Sequence, residues 1–469
     1  MSLARTLSLA ALVAVLGLGG CGGGGGLTKK PYFVIVGSAS GPVLRELQKT
    51  YLQQIYRPGQ ALKGASMLVV DGSVVPADSM DDLKAIDDAL GSGVPVLCLN
   101  VSKAHLTKAA EGSSRIGAFV NGNHDAYLMT PMAHGIDIVH VGPKKFTRRQ
   151  LFQHLDTTGH LRGSRSEDRI ELQPDQASID RFVANLKDRL AGKLPIDSVR
   201  GTDPPSSIPR YITTVQDSFT SVDDNVVPGQ TVTSNVAFFF NVYYNDGGPG
   251  NQYQYLIAYA TGMSDPGAPS NNSERTKGYF QTLSYLQMNP NPTENGGLLS
   301  LISSGPGQSD GLYQVSFGAD IQYSAGASSY LWSLSLPPVA QSIPGWFCNT
   351  GGVSLLPNAA QTLFWQGSPF NAVQNNWHDG FTYVGGLVLD YYPKSMNPTS
   401  TNQLPVNMAA IWRTSTTTDQ GIVMQYAAGA QYQLLHAKEK SPGIYDRQQT
   451  VINFDPDPMN VTLLFGRAE

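Results

Sequence analysis

The sequence predicts a multidomain protein in which a small α/β layer fold precedes an all-β domain. Between residues 31 and 160, apolar runs such as Y-F-V-I-V and S-M-L-V-V alternate with stretches of helical spacing, which is typical of α/β folds. From residue 217 to residue 469, short alternating strands are separated by Asn-Gly, Asp-Gly and Pro-Gly turns. Charged residues make up only 14% of the 469 residues, against about 25% in average soluble domains.

The N-terminal layer contains three predicted strands and two predicted helices. Residues 32–37, 66–70 and 94–101 form apolar runs of strand length. Residues 43–56 have helical spacing throughout, and residues 80–90 predict a second helix that stops at Gly91. The stretches A-F-V-N-G-N and D-A-Y-L-M-T further predict a hairpin.

Residues 161–216 predict a helix and a linker between the two parts. A charged run, R-G-S-R-S-E-D-R, is followed by an amphipathic helix. The apolar face of this helix carries Ile179, Phe182, Val183, Leu186 and Leu190. The next stretch has no periodicity and several prolines, and it contains Arg200 and Arg210. Such a segment predicts an exposed linker that proteases can cut.

The first twenty residues predict an export signal. Arg5 provides the positive charge, and the apolar stretch after it is too short to span a membrane as a helix. It ends in L-G-G-C, a lipobox-like pattern in which Cys21 becomes acylated after cleavage. Glycine-rich residues 21–30 then predict a flexible tether. We therefore expect an exported bacterial protein, anchored by lipid at the outer membrane or cell surface, or secreted after processing.

Several classes of function lack support in the sequence. The net charge of −4 gives no support for nucleic acid as a partner. The N-G-N-H-D stretch at residues 121–125 resembles part of a metallophosphatase motif, but the Asp-x-His element after the first strand is missing. Cys98 and Cys348 predict either buried free thiols or one disulfide. We expect no enzymatic activity, no cofactor and no metal.

Residues 312–323 combine strand alternation with features suited to a membrane. Leu312 opens the stretch, Asp320 is its one charged residue, and small turn residues follow it. The apolar positions are Tyr313, Val315, Phe317, Ala319, Ile321 and Tyr323. No lysine or arginine occurs from residue 278 through residue 393, and a cation facing lipid near the midplane would cost about 2–4 kcal/mol. A single hairpin leaves backbone edges unpaired in hydrocarbon, so several chains would have to close a barrel together.

The sequence resembles the leukocidin/α-haemolysin group of β-barrel pore-forming toxins, and within it the Vibrio-type cytolysins. The N-terminal layer, through residues 93–101 and 115–131, is similar to the pro-domain of those cytolysins. The C-terminal stretches that carry the resemblance are S-N-V-A-F-F-F-N-V-Y-Y (234–244), the glycine- and serine-rich region 295–336, L-P-V-N-M-A-A-I-W-R-T-S (404–415) and R-Q-Q-T-V-I-N-F-D-P-D-P-M (447–459).

The resemblance implies a precursor that a protease activates by cutting near Arg200 or Arg210. It implies a pre-stem hairpin that swings out during assembly of a ring-shaped homo-oligomer on target membrane lipids. It also implies a membrane-contacting rim of aromatic side chains. The rim candidates are Trp365, Trp377, Tyr391 and Tyr392, which could equally be aromatic residues of a sheet core.

The position of the stem turn has two solutions. The turn lies at residues 305–311, which pairs residues 296–304 with 312–323, or it lies at residues 324–329, which pairs 312–323 with 330–336. The resemblance favours the first solution, in which Asp320 faces the lumen of the pore and favours cations.

We expect the precursor of an oligomeric pore-forming cytolysin. The alternative is an outer-membrane surface lipoprotein that uses the β-domain for binding or adhesion without forming a pore. A phosphoesterase fused to a β-domain is the third and weakest interpretation.

Overall fold

The structure is a computed structural model that describes nineteen ranges of the chain and within them 25 strands and four α-helices. The described residues are 30–80, 84–155, 161–174, 176–193, 210–221, 232–246, 252–265, 270–272, 275–291, 293–305, 318–325, 328–335, 347–349, 363–367, 383–384, 387–388, 404–441, 444–454 and 459–467. The helices are α1 Pro42–Gln48, α2 Lys84–Gly91, α3 Lys103–Gly112 and α4 Gln176–Leu190, with short 3-10 turns at Ala77–Ser79, Gly296–Leu298 and Phe465–Arg467.

The strands are concentrated after residue 210, but they begin at the first described residues. The first thirteen strands are β1 Tyr32–Val36, β2 Leu52–Ile55, β3 Met67–Asp71, β4 Val96–Val101, β5 Ala118–Asn121, β6 His124–Met132, β7 Gly135–Val141, β8 Lys144–Leu155, β9 Leu161–Leu172, β10 Arg210–Ser221, β11 Val232–Asp246, β12 Gln252–Asp265 and β13 Ser270–Asn272. The remaining strands are β14 Arg275–Pro290, β15 Leu299–Gly305, β16 Gly318–Ala325, β17 Ser328–Ser335, β18 Phe347–Asn349, β19 Leu363–Gly367, β20 Tyr383–Val384, β21 Leu387–Val388, β22 Leu404–Thr414, β23 Gly421–Ser441, β24 Ile444–Phe454 and β25 Met459–Leu464.

Eleven strands form one mixed sheet in the order β15-β22-β12-β11-β10-β7-β6-β4-β3-β1-β2. At its N-terminal end, β2, β1, β3 and β4 are parallel. Helices α1 and α4 share a core cluster on one face of this end, and α2 and α3 pack into a cluster on the other. Strands covered on both faces are apolar throughout, which explains the continuous runs in β3 and β4. The predicted α/β layer is therefore present.

Ten strands form the second sheet, which follows the path β18-β19-β14-β23-β24-β8-β9, with β13 beside β14 and β25 between β23 and β5. The two sheets enclose a common core. The Phe238 ring on β11 lies 4.8 Å from the Tyr426 ring on β23, and the Phe240 ring lies 6.0 Å from it. Trp412 on β22 is fully buried in the same core. The predicted β-rich C-terminal part is confirmed as two packed sheets.

The N-terminal layer shares its hydrogen bonding with the C-terminal strands. Strand β7 pairs in parallel with β10, β8 pairs with β24, and β5 pairs with β25. The main core cluster includes Val34 from β1 as well as Trp412. The boundaries expected at residues 160 and 217 remain predictions, but both sheets cross them.

Two local predictions in the N-terminal layer are wrong. Helix α1 ends at Gln48, and residues 52–55 form strand β2, because they pair in parallel with β1. Strands β5 and β6 do not form a hairpin with each other, since β5 pairs with β25 and β6 pairs with β4 and β7. The chain turns between the two sheets at Gly122, whose φ of 142° is unfavourable for a side-chain-bearing residue.

The described parts of the segment 161–216 contain two strands besides the predicted helix. Strand β9 occupies its beginning, α4 follows, and β10 starts at Arg210. In α4, Ile179, Phe182, Val183 and Leu186 are buried as predicted. Within the described residues, none of the helices combines the length and hydrophobicity needed to cross a membrane.

Candidate membrane-insertion ribbon

Strands β16 and β17 form a two-stranded antiparallel ribbon that belongs to neither large sheet. The register pairs Gly318 with Ser335 and Ala325 with Ser328. The two residues at positions 326 and 327 connect the strands. Within the part of the chain that the structure describes, the ribbon therefore has no ladder to any other strand, and both of its outer edges are left for other partners.

The register separates an apolar face from a polar face along the ribbon. Residues that lie directly opposite each other in an antiparallel pair share a face. The pairs on one face are Ala319 with Leu334, Ile321 with Trp332 and Tyr323 with Tyr330. The pairs on the other face are Gly318 with Ser335, Asp320 with Ser333, Gln322 with Leu331 and Ser324 with Ser329. The alternation of the sequence is thus matched across the two strands.

This pairing corrects the favoured position of the stem turn. Residues 318–325 pair with residues 328–335, which is the second of the two solutions. Strand β15 instead pairs with β22, where Leu299 lies opposite Thr414 at the edge of the first sheet. Residues 299–305 pair with β22 and residues 318–325 pair with β17, so the pairing of these two stretches with each other is not formed.

Strand β16 of the ribbon lies close to β11 of the first sheet. The inner face of that sheet is covered by the second sheet, through contacts such as that of Phe238 with Tyr426. On the outer face, Phe239 stacks on Tyr259 with ring centroids 4.3 Å apart. The buried residues of this outer patch are Phe239, Tyr259, Ile257 and Ile411, each at most 2% exposed.

The other predicted site residues are scattered between strands and undescribed segments. Trp365 lies in β19, opposite Leu286 of β14 and Cys348 of β18. Arg210 is the first residue of β10 and lies opposite Tyr243. The residues that lie outside the described ranges are Cys21, Arg200, Leu312, Tyr313, Val315, Phe317, Trp377, Tyr391 and Tyr392.

A buried ionic network joins the two sides of the predicted cleavage segment. Asp137 on β7 is fully buried, and Arg189 near the end of α4 is 7% exposed. The Arg189 Nε donates a hydrogen bond of 2.6 Å to the Asp137 Oδ2. The Thr214 hydroxyl on β10 donates to the other carboxylate oxygen. Burial raises the pKa of Asp137, while the Arg189 charge and the two hydrogen bonds oppose that rise.

This network, called here the 137–189–214 network, is a feature that sequence reasoning missed. Residues 194–209 connect α4 to β10, so both ends of that segment are held at one carboxylate. Two signals for it were present in the sequence. Asp137 interrupts the apolar run G-I-D-I-V, and Arg189 lies three residues after Leu186 on the apolar stripe of α4. A charged residue at each of two core positions predicts a buried pair.

A second polar contact ties the N-terminal layer to β10. The Tyr211 hydroxyl accepts a hydrogen bond of 2.7 Å from the Gly117 N–H and donates one of 2.9 Å to the Arg115 carbonyl. A Cβ at Gly117 would lie 2.4 Å from the Tyr211 ring, so only glycine permits this contact. Burial raises the pKa of Tyr211, which keeps the hydroxyl neutral.

The N-G-N-H-D stretch connects the two sheets. His124 is buried at the start of β6, with its ring 4.9 Å from that of His140 in an edge-on contact and 5.1 Å from that of Tyr127. Among the residues that the structure describes, no group of three or more histidine, cysteine, aspartate or glutamate side chains is arranged to hold a metal. Cys98 is a buried free thiol, and burial raises its pKa to about 12.

Two solved toxin structures are similar to part of the chain. The Clostridium perfringens NetB toxin in its membrane-inserted form has 9% identity and a TM-score of 0.28, with 55% of this chain and 98% of that chain covered. The Clostridium perfringens delta-toxin has 9% identity and a TM-score of 0.28, with 51% of this chain and 89% of that chain covered. The sequence matches no family model and no curated protein.

Proposed function

We propose that the chain is the precursor of an oligomeric β-barrel pore-forming protein, and that the β16–β17 ribbon is its membrane-inserting element. The single observation that supports this most is the separate, amphipathic ribbon, which is paired only with itself among the described strands. The absence of lysine and arginine from residue 278 through residue 393 supports the same proposal. The sequence resemblance to the Vibrio-type cytolysins adds the expected order of events.

The physical reason for a ring lies in the backbone of the ribbon. In hydrocarbon, each unpaired N–H or C=O group costs several kcal/mol, so an isolated ribbon is excluded from the bilayer core. Copies of the ribbon from neighbouring chains can satisfy both outer edges by closing into a barrel. The face with Ile321 then meets lipid, and the face with Asp320 lines the lumen. Target membrane lipids, further copies of the chain and an activating protease are the proposed partners.

Departure of the ribbon would uncover the outer patch on the first sheet. The stacked rings of Phe239 and Tyr259 are buried in the monomer. We propose that the apolar face of the ribbon covers them, because β16 lies close to β11. Loss of that cover is unfavourable in water, because each buried aromatic side chain contributes about 1.5–3 kcal/mol through burial. We propose that insertion of the ribbons into lipid offsets this cost, so that release takes place at a membrane and not in solution.

The test compares two single lysine substitutions at neighbouring positions on opposite faces. Ile321→Lys places a charge on the apolar face, and Gln322→Lys places the same charge on the polar face. The protein is cut with an arginine-specific protease, which leaves the new lysine intact, and is added to vesicles loaded with a fluorescent dye. We expect dye release from the unsubstituted protein and from Gln322→Lys. Ile321→Lys should not release dye, because each lysine at the bilayer midplane costs about 2–4 kcal/mol in every copy of the ring.

Two results would contradict the proposal. Equal dye release by both lysine variants would mean that the ribbon does not meet lipid. Absence of release from every form, with no rings visible by electron microscopy on the vesicles, would favour the second candidate. That candidate is a lipid-anchored surface protein that binds or adheres through its β-domain, and the strand ladders that join the N-terminal layer to the rest of the fold favour it.

A further inference from the structure

A cavity of about 240 Å³ opens at the carboxyl ends of the parallel strands of the first sheet. Ser40 and Gly41 lie in the loop after β1, and Asn100 lies near the end of β4. In open α/β sheets, the crevice outside the carboxyl ends of the strands is the place where ligands bind. The loop after β1 turns at Gly37 and Gly41, both with positive φ. The cavity thus lies where this kind of layer provides a binding site, far along the chain from the ribbon.

The lining combines an apolar wall with one carboxylate and uncharged polar side chains. The apolar wall is formed mainly by Val43, Leu44, Leu99, Val141 and Ile179. The functional side chains at the polar side include Asn100, Asp125 and Gln173. Among the described residues that line the cavity, there is no lysine and no arginine. The cavity therefore offers a negative charge and apolar surface, and no cationic group to receive an anion.

Hydrogen bonds outside the cavity orient two of these polar groups. The amide nitrogen of Asn100 donates to the Asp71 Oδ1 at 3.0 Å. The amide nitrogen of Gln173 donates to the Glu171 Oε1 at 3.3 Å. Each amide thus uses one of its two N–H donors outside the cavity, and its carbonyl oxygen is the acceptor that a ligand can use.

Asp125 adds a carboxylate to these two acceptors. It is the last residue of the N-G-N-H-D stretch, and it is exposed at the second position of β6, at the mouth of the cavity. Desolvation raises its pKa from the usual value, as expected for a carboxylate without a compensating cation. A cationic ligand would restore the favourable interaction that the site itself does not supply.

We propose that this cavity binds a small primary ammonium compound with a short apolar chain. An ammonium group has three N–H donors, and the cavity presents three acceptor groups, on Asn100, Asp125 and Gln173. The apolar wall would hold the hydrocarbon part. The volume is below the ~300 Å³ at which sites for drug-sized molecules begin, so the ligand is small. This proposal does not depend on membrane insertion by the ribbon.

The test uses the full chain and isothermal titration calorimetry with n-butylammonium chloride at pH 7.5. The matched probes are n-butanol, which keeps the apolar chain without the charge, and sodium butyrate, which reverses the charge. We expect saturable binding of n-butylammonium only. Asp125→Asn should weaken that binding about tenfold or more, because a charge-assisted hydrogen bond is lost. Gln173→Leu should weaken it about fivefold. Asp78→Asn, at an exposed aspartate outside the cavity, should leave it unchanged.

Three outcomes would overturn the proposal. n-Butanol binding as tightly as n-butylammonium would mean that the cavity selects only for apolar character. Asp125→Asn and Gln173→Leu could both bind n-butylammonium with unchanged affinity while far-UV circular dichroism shows folded protein. That result would mean that these two side chains do not contact the ligand. No saturable binding of n-butylammonium to the unsubstituted chain would mean that the cavity does not take an ammonium ligand.

Discussion

Arg189→Met removes the positive half of the 137–189–214 network while keeping a long apolar side chain on α4. Asp137, with no exposed surface, then loses the guanidinium that lies 2.6 Å from its Oδ2 and keeps the Thr214 hydroxyl as a donor. Breaking a buried ion pair on one side typically costs about 3–5 kcal/mol, because the remaining charge stays buried without compensation. We expect a loss of stability of that size at pH 7.

Urea unfolding followed by tryptophan fluorescence measures this loss, because Trp412 is fully buried between the sheets. The matched control is the double variant Asp137→Asn with Arg189→Met, which removes both charges. It should recover a large part of the lost stability, since no uncompensated charge remains. A single variant that unfolds within about 1 kcal/mol of the unsubstituted protein would refute the reasoning. A double variant as unstable as the single one would also refute it.

The pH dependence of Arg189→Met gives an independent check on the same network. Burial raises the pKa of Asp137, and Arg189 opposes this rise, so the pKa in the variant should be raised further above its unfolded value. A carboxyl group with a raised folded-state pKa contributes its stability below the unfolded pKa of about 3.9. That contribution is lost as the pH rises through the folded-state pKa. The loss of unfolding free energy in Arg189→Met, relative to the unsubstituted protein, should therefore be small at pH 4 and grow towards pH 7.

Three further predictions concern the cleaved form, the ribbon and the core. Protein cut by trypsin between residues 194 and 209 should elute as one complex in size-exclusion chromatography at pH 7.5. The reason is that three ladders join the two fragments, β7 with β10, β8 with β24 and β5 with β25. Elution of the two fragments in separate peaks would contradict this expectation. If the ribbon forms a pore, Asp320→Asn should reduce cation selectivity in planar bilayers. Unchanged selectivity would mean that Asp320 does not line the lumen. Burial raises the pKa of Cys98 to about 12, so this thiol should react with iodoacetamide at pH 8 only in urea. Mass spectrometry of the peptide that contains Cys98 measures the labelling. Rapid labelling of the native protein would contradict the burial of Cys98.

Local patterns predicted those elements whose environment is simple. The runs in β3 and β4 are apolar because both faces are covered, and the spacing of α4 is visible because only one of its faces is buried. The stretch 43–56 has helical spacing as well, yet its second half is β2. There, the parallel pairing of residues 52–55 with β1 decides the structure, and a local pattern contains no information about it.

Long-range pairings are the part of the fold that the sequence did not predict. The parallel ladder of β7 with β10 and the antiparallel ladder of β5 with β25 depend on segments that are far apart in the chain. For the ribbon, alternation predicted a strand over residues 312–323, of which the structure describes 318–323 within β16. It left the turn open, because the glycine- and serine-rich stretches on both sides are equally good turns. The register with β17 settled it. The acceptors Asn100 and Gln173 had no local signal, since their role depends on the cavity.

The position of β25 has a consequence for folding during biosynthesis. Thr462 on this last strand donates a hydrogen bond of 3.0 Å to the Asn121 side chain, 341 positions earlier, and Val461 lies opposite Val120. The N-terminal layer therefore cannot complete its second-sheet contacts until the ribosome has made residues 459–464. Folding that depends on such distant contacts is slow. Until β25 has been made, β5 has no partner among the described strands, and the backbone groups of its edge stay open to water.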